Sequence, residues 1–400
     1  MEINGGDDFS SGSNFDGDFG GCNNYNPLPY SGKQLIFPNS GKSVHPNQNI
    51  SKIINGLSEK CLEEQPKGPS SSTMATQNNY PLHIGDITKG AESVQISLAN
   101  DLDGFNELPK FFYIAENIVY KDAHVNFSLA RISDDNCCSQ CFGDCLASDL
   151  PCACACETRG VFAYTREGLL NEKFLDEYIE MIWEPKRKDY YYCEECPLER
   201  GKRRKKCEGH LCRKFIKECW SKCGCSKKCG NRIVQRGIRA NLQVFKTYER
   251  KGWGVRSLHA LKKGSFVCEY VGEIVTNLEL HERNQRRAGK EHTYPVLLDA
   301  DWNSERILKD EEALCLDATE FGNVARFINH RCHDSNLIEI PVEIETPDHH
   351  YYHLAFFTTR NVEAMEELTW DYGIRFDDKT HPVKAFKCKC GSPYCRDRKA

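Results

Sequence analysis

Thirteen cysteines stand at spacings that suit metal ligation. Cys138-x2-Cys141-x3-Cys145-x6-Cys152-x-Cys154 supplies five thiols, and Cys219-x3-Cys223-x-Cys225-x3-Cys229, in ECWSKCGCSKKC, supplies four more. Nine thiolates serve three tetrahedral zinc ions only if three sulfurs bridge, because roughly twelve coordination positions must then be filled. Such a cluster carries excess negative charge. Between Glu184 and Arg236 there are 17 Lys and Arg against 7 Asp and Glu. These cations would lower thiol pKa values and offset the excess, or they would contact phosphate. Iron–sulfur ligation fits less well, since nine clustered thiols exceed what one four-thiolate cluster uses.

Near the C-terminus, KCKCGSPYC gives Cys388, Cys390 and Cys395. Three thiols are one short of a closed structural zinc site, and Cys332 in RFINHRC is the candidate fourth. A metal there ties the tail onto RFINH and encloses whatever that segment binds. The alternative, a buried structural Cys332, strands three adjacent thiols. Cys193, Cys196, Cys207 and Cys212 have the spacing for one more zinc or are loose surface thiols. Of 23 cysteines, 15 lie between Cys137 and Cys229, a local cluster, and the odd total leaves no fully paired disulfide framework.

These ligands need a scaffold. The opening MEINGGDDFSSGSN has neither a basic start nor an apolar run, and no stretch approaches a membrane span, so a soluble intracellular protein is expected. Residues 1–90 are rich in Asn, Ser, Gly and Pro and read as largely disordered. A folded unit begins around Val94. Strand-length runs follow: VQISL, KFFYIAENIVY, HVNFSLARI, LQVF, SFVCEYVGEIV, YPVLL, LIEIPVEI and YYHLAFFTT. NEKFLDEYIEMIW and LELHERNQRRA are the best helical candidates. The fold class is therefore mostly β with few helices. The stretch from Leu337 to Asp378 has 10 acids against 2 Arg, and a basic block beside an acidic one suits a protein that meets nucleic acid and basic peptides. GKRRKK at 201–206 is a candidate nuclear import run, although plain surfaces carry such runs too.

Taken in order, the cysteine-rich block, GWGVR, CEYVGEIV, RFINHRC, ELTWDYG and the final CxCxxxxC resemble the pre-SET, SET and post-SET modules of Su(var)3-9-type histone lysine methyltransferases, most closely the plant SUVR branch. The resemblance covers about residues 95–400, and its specificity lies in the joint order. It implies a SET-domain β-clip fold with a pseudoknot, preceded by a zinc-cluster pre-SET module and followed by a zinc-binding post-SET tail. The expected divisions are a strand region at 91–136, pre-SET at 137–236, SET at 237–376 and post-SET at 377–400. It also implies S-adenosylmethionine as methyl donor and a target lysine entering a narrow channel from the opposite face.

By that resemblance, Gly252, Trp253, Gly254, Arg326, Asn329 and His330 belong to the donor site. Tyr294, in TYPVLLDAD, is counted with them, near where the family takes a further lysine-channel tyrosine. Tyr372, in WDYG, orients the amine, and Tyr270, in EYVGE, lines the channel. Outside this context GWG reads as a hairpin turn and either tyrosine as a core aromatic. His330 has a donor-binding assignment and is not taken as a general base. The position before Asp371, usually Phe or Tyr in the family, is Trp370 and bears on how many methyl groups fit. Phe321 replaces a common Tyr, and Ser335 a usual proline.

The expected activity is nuclear, chromatin-bound lysine methylation of a histone tail, by resemblance histone H3 at lysine 9, in chromatin silencing. Glu339, Glu343 and Glu345 are expected to attract the basic peptide. The partner is then the H3 tail or nucleosome, with nucleic-acid contact through the 184–236 block. Two other readings remain: a zinc-rich chromatin or nucleic-acid module whose SET-like part is inactive, and a secreted disulfide-rich protein.

Overall fold

The computed structural model describes residues 82–101, 108–120, 138, 140–147, 152–158, 162–192, 210–211, 214–248, 251–287, 295–298, 314–344, 352–374, 376–377 and 386–399. Strands dominate these residues, in three larger sheets and a two-stranded pair, Tyr190–Tyr191 with His210–Leu211. The first sheet runs, in spatial order, Leu82–Ile84, Ser97–Asn100, Leu242–Lys246, Trp253–Ser257, Glu367–Trp370 and Asn329–His330. Its last pairing is parallel, Asn329 opposite Thr369 and His330 opposite Trp370, which lays RFINH alongside ELTW. The second sheet orders Phe266–Glu269, His353–Thr358, Leu337–Glu343 and Ile216–Lys217. The third orders Pro295–Leu298, Leu314–Gly322, Gly272–Thr276 and Ile118–Val119, with Phe112–Tyr113 pairing onto Phe321–Gly322.

Val255, Val267, Ile274, Leu316, Phe327, Ile328 and Leu368 form the main core between these sheets. Burying each such side chain contributes about 1.5–3 kcal/mol, so the residues flanking the RFINH segment are set by packing before any ligand arrives.

The helix Glu172–Trp183 forms where NEKFLDEYIEMIW predicts it. Asn171 caps it, its side chain accepting from Lys173 N at 3.1 Å and Phe174 N at 3.4 Å. Phe174, Leu175, Tyr178 and Met181 recur at helical spacing and are buried, packing with Ile338, Ile340 and Phe357 of the second sheet. The helix stops at Trp183 because Glu184 precedes Pro185, and a residue before proline is disfavoured in the helical region. The second expected helix is Asn277–Arg287, and a third, Ala153–Glu157, lies within the cysteine block.

Most expected strands form, with three differences among the described residues. Leu82–Ile84, ahead of the boundary expected at 91, already forms a strand by pairing with Leu98–Asn100. KFFYIAENIVY gives only two two-residue strands. HVNFSLARI, residues 1–81 and the 201–206 basic run lie outside the described residues. The longest strand, Leu314–Gly322, was not among the expected runs. Its first six residues are all buried, including Asp317 and Thr319, so no alternation marks it. Asp317 is tolerated there because Arg283 and Arg287 reach its Oδ2 at 3.4 Å each.

The cysteine-rich unit is fastened to the second sheet by one buried strand pairing and is braced within itself by Glu218. Ile216–Lys217 adds as a parallel strand to Val342–Glu343. Glu218, fully buried, accepts from Ile233 N and Val234 N at 2.7 Å each and from the Tyr164 hydroxyl at 2.8 Å. No helix among the described residues is long and apolar enough to cross a membrane.

Candidate active site

The described cysteines are free thiols; Cys268 and Cys315 lie apart in the core, and the sulfurs of the others gather in two places. A zinc ion about 2.3 Å from each of four tetrahedral sulfurs sets those sulfurs roughly 3.8 Å apart, whereas a disulfide needs about 2.05 Å. In the first place, sulfur separations are 3.8 Å for Cys138–Cys219, 3.7 Å for Cys145–Cys219, 3.6 Å for Cys138–Cys154 and 3.7 Å for Cys154–Cys223. Three groups of four have all their sulfurs within 4.8 Å: Cys138, Cys141, Cys145 and Cys152; Cys138, Cys145, Cys219 and Cys225; and Cys138, Cys152, Cys154 and Cys219. Cys138 belongs to all three, so sulfurs are shared as bridging requires. Donors aim at the sulfurs as they would at thiolates: Trp220 N on Cys223 at 3.1 Å, Cys145 N on Cys229 at 3.3 Å, Asn231 Nδ2 on Cys219 at 3.4 Å and Arg232 Nη2 on Cys225 at 3.5 Å.

All nine expected thiols therefore meet, and Arg232 shows one of the two roles weighed for the basic block, that of counter-charge. Lys217 of that block is buried and paired with Glu343 at 3.6 Å. Lys222, Lys227 and Lys228 remain exposed. Cys193, Cys196, Cys207 and Cys212 lie outside the described residues.

In the second place, Cys332, Cys388, Cys390 and Cys395 have their sulfurs within 4.8 Å, with Cys332–Cys388 at 4.0 Å. Burial pushes the Cys332 thiol up to about 11. Burial acts on Cys390 too, yet backbone N–H groups of Cys332 and Ser392 hold it down to about 7. A cation is the natural partner for the remaining thiols, and the donor set fits zinc.

This second site closes over a row of aromatic rings. Tyr372 lies 4.9 Å from Trp370 and 5.1 Å from His330, and Trp370 lies 5.0 Å from Phe356 and 6.4 Å from Tyr270. The Tyr372 hydroxyl donates to Ile328 O at 2.6 Å. With its proton so engaged, the hydroxyl can meet a further group only as an acceptor. Tyr270 and Trp370 are buried, so an amine beside them would be poorly solvated.

His330 has both ring nitrogens occupied. Nδ1 accepts from Tyr372 N at 3.2 Å, so in the neutral ring Nε2 carries the proton and donates to Cys332 Sγ at 3.0 Å. Burial lowers its pKa to about 4, against the pull of Asp371. A neutral, doubly engaged imidazole is a positioning group and a poor base, in line with the expectation. Asn329 donates through Nδ2 to Trp253 O at 3.1 Å and Glu367 Oε1 at 2.8 Å, joining the GWG strand to ELTW.

The two glycines of GWG differ. Gly252 has open space around it but a φ of +95°, so its need is conformational. At Gly254 a Cβ would meet Thr247 Cγ2 at 2.9 Å and Glu367 Oε1 at 3.2 Å. Its close approach is to the protein's own Glu367, which holds Asn329. Arg326 is buried between Phe111 and Phe327 and donates to Ala318 O at 2.9 Å and Thr319 O at 3.0 Å, pinning the long strand beneath the site. Tyr294 lies outside the described residues.

The closure of the tail over RFINH was expected from the sequence, but the contacts that line it were not. Phe376 and Phe386 each stand 5.9 Å from His330 and from each other, and Phe386 is 6.4 Å from Tyr372. Arg331 Nη1 donates to Cys390 O at 3.0 Å, and Arg396 Nη2 meets Asp371 Oδ1 at 2.5 Å. Part of the signal was available: Phe386 directly ahead of KCKC, and an arginine beside Cys332 and beside Cys395. The acidic expectation needs a correction. Glu343 faces the buried Lys217 and is mostly covered, so it is not free to attract a peptide; Glu339 is half-buried, and Glu345 lies outside the described residues.

Comparison with known proteins agrees with this layout. The SET domain model matches residues 252–373 and the Pre-SET motif model residues 88–232. Histone-lysine N-methyltransferase SUVR4 of Arabidopsis thaliana is 58% identical over 371 residues, 92% of this chain and 75% of that protein. Probable inactive histone-lysine N-methyltransferase SUVR2 of the same plant is 54% identical over 319 residues, 79% of this chain and 44% of that protein. The solved complex of KRYPTONITE with mCHH DNA, H3(1-15) peptide and SAH aligns with a TM-score of 0.54 at 29% identity, covering 84% of this chain and 56% of that one. The chain thus spans three quarters of one relative and under half of the other.

Proposed function

Because this chain belongs to the Su(var)3-9-type SET-domain histone-lysine methyltransferases, within the plant SUVR branch, we propose that it transfers a methyl group from S-adenosylmethionine to a histone tail, namely lysine 9 of histone H3, at chromatin in the nucleus. The observation that carries this reading is the Tyr372 hydroxyl, its proton held by Ile328 O, standing beside the Trp370–Tyr270 aromatics and beneath a tail fastened by four thiols.

S-adenosylmethionine, when bound, supplies an electrophilic methyl carbon on a sulfonium. The residues that would hold it are the GWG backbone at Gly252, Trp253 and Gly254, with Asn329 and His330, under Phe376 and Phe386 of the tail; Arg326 supports the floor. Tyr294 completes the donor side.

A lysine with a pKa near 10.4 is neutral only about one part in a thousand at physiological pH, a deficit of roughly 4 kcal/mol. Buried Tyr270, Trp370 and Phe356 make the charged amine expensive and favour the neutral one. Tyr372 then accepts from the amine N–H at its hydroxyl oxygen, which turns the nitrogen lone pair toward the donor methyl. No protein base is required at His330. Trp370, larger than the usual Phe or Tyr, narrows the channel, so the first methyl transfer is faster than the second or third.

Three zinc ions in the pre-SET cluster and one at Cys332, Cys388, Cys390 and Cys395 complete the cofactor set. The DNA in the KRYPTONITE complex supports nucleic-acid contact through the exposed lysines of the 184–236 block. One observation favours a second reading, a weak or inactive chromatin-binding module: SUVR2 is named probable inactive.

Labelled donor with core histones and an H3 tail peptide series separates the two. Transfer to lysine 9 supports the enzyme, and absence of label in every histone removes it. Tyr372→Phe should fold and bind donor yet lose about a hundredfold or more in turnover, measured as initial rate. An unchanged rate would take Tyr372 out of the reaction.

A further inference from the structure

A feature outside the reaction centre links three parts of the chain that sequence keeps far apart. Trp183, the last residue of the helix Glu172–Trp183, is 40% exposed, and its ring lies 4.8 Å from that of His333. His333 in turn lies 5.5 Å from Tyr394. His333 directly follows the ligand cysteine Cys332, and Tyr394 directly precedes the ligand cysteine Cys395. The aromatic series therefore runs beside both halves of the tail's thiol site.

The middle ring is fixed by its backbone. His333 has a φ of +59°, a conformation that non-glycine residues rarely adopt, and its N–H donates to Asp371 Oδ2 at 3.1 Å. The outer support is rigid as well. Phe174, Leu175, Tyr178 and Met181 anchor the helix in the core shared with the second sheet, so Trp183 stands at the end of an element that cannot easily shift.

We propose that Trp183 is a positioning residue: the pre-SET helix buttresses the post-SET tail through His333 and Tyr394, and so sets the lid over the donor site. The inference rests on the methyltransferase reading for its consequence, but its physical content is the stability of the closed tail. The helix supplies the side of the lid that zinc and the Arg396–Asp371 pair do not reach.

The test uses the full chain loaded with zinc and three variants: Trp183→Ala, Trp183→Phe and His333→Gly. Glycine keeps the left-handed backbone at 333 while removing the ring. Two readouts do not depend on turnover: the rate at which the most labile zinc passes to an excess chelator, and the rate of tryptic cleavage at Lys387 and Lys389. Both should rise roughly two- to tenfold in Trp183→Ala and in His333→Gly, the range expected from losing one aromatic pair. Trp183→Phe should stay near the parent. The double variant Trp183→Ala, His333→Gly should be no worse than either single change, because the rings act in series.

The Michaelis constant for S-adenosylmethionine should rise with the same factor while the slower-leaving zinc ions are unaffected. Unchanged zinc release and cleavage in both single variants would overturn the proposal, as would strictly additive effects. A parent protein with no methyl transfer at all would instead overturn the proposed function, and the zinc-release comparison would still decide this inference.

Discussion

The two thiol sites of this molecule use the same ligand chemistry for different ends. The pre-SET cluster is made from two short stretches, Cys138–Cys154 and Cys219–Cys229, with seven of its nine cysteines buried. Its surroundings are fixed within the unit by Glu218 under the backbone of Ile233 and Val234, and against the second sheet by Lys217 buried beside Glu343. The tail site joins Cys332 to three cysteines at the far end of the chain, with Cys388 and Cys395 half-buried. Its fastenings are partly exposed: Arg396 with Asp371, and Arg331 with Asp334 and Cys390 O. A metal site inside a unit replaces that unit's core. One that joins the end of the chain to a ligand-binding segment acts as a closure.

Sulfur removal is the most direct way to break this comparison. Cys219→Ser takes away a sulfur shared by two of the three groups and fully buried among the others. The protein should lose cooperative folding of the pre-SET unit, because structural zinc energy is folding energy there. Circular dichroism and metal content read this out, and a folded variant holding all its zinc would refute the cluster's role as core. Cys395→Ser should instead leave a folded protein with one zinc fewer, and transfer should fall about a hundredfold, the scale of misplacing reactants by about 1 Å. Full activity in that variant would show that the tail is dispensable.

Legibility in the sequence follows the same division. The helix Glu172–Trp183 could be read because its buried residues keep helical spacing and Asn171 and Pro185 bracket it. Both thiol sites could be read because four cysteines leave few alternatives whatever the intervening chain does. The strand Leu314–Gly322 could not, since burial on both faces with Asp317 and Thr319 inside erases any period. Glu343 misled for a related reason: its acidity was visible, while its burial against Lys217 depends on tertiary packing. Phe376 carries no mark in the sequence and Phe386 only its place ahead of KCKC; both become part of the site when the tail folds back over His330.

The moorings can be compared next, beginning with the buried one. Lys217→Met should remove the charge that the covered carboxylate of Glu343 faces, at a cost of about 3 kcal/mol. Thermal unfolding should shift down by several degrees. Adding Glu343→Gln should restore part of the loss, since a neutral amide is cheaper to cover than an unpaired charge. No rescue would mean that the pair contributes shape and the lysine stem's packing on Trp220, 4.7 Å from its ammonium, rather than charge.

The exposed mooring should matter least. Arg396 is 42% exposed and meets Asp371 at 2.5 Å, and an ion pair so open to solvent contributes roughly 0–1 kcal/mol. Asp371 also accepts from His333 N at 3.1 Å and Gly373 N at 2.9 Å, so it stays in place when the arginine goes. Arg396→Ala should therefore keep its full zinc content and raise the Michaelis constant for S-adenosylmethionine by no more than a few-fold. The difference should vanish in about 0.5 M salt, where the screening length drops to a few ångströms. A salt-independent loss of tenfold or more would mean that the tail is held by charge rather than by its four sulfurs, and the contrast between the two thiol sites would have to be drawn elsewhere.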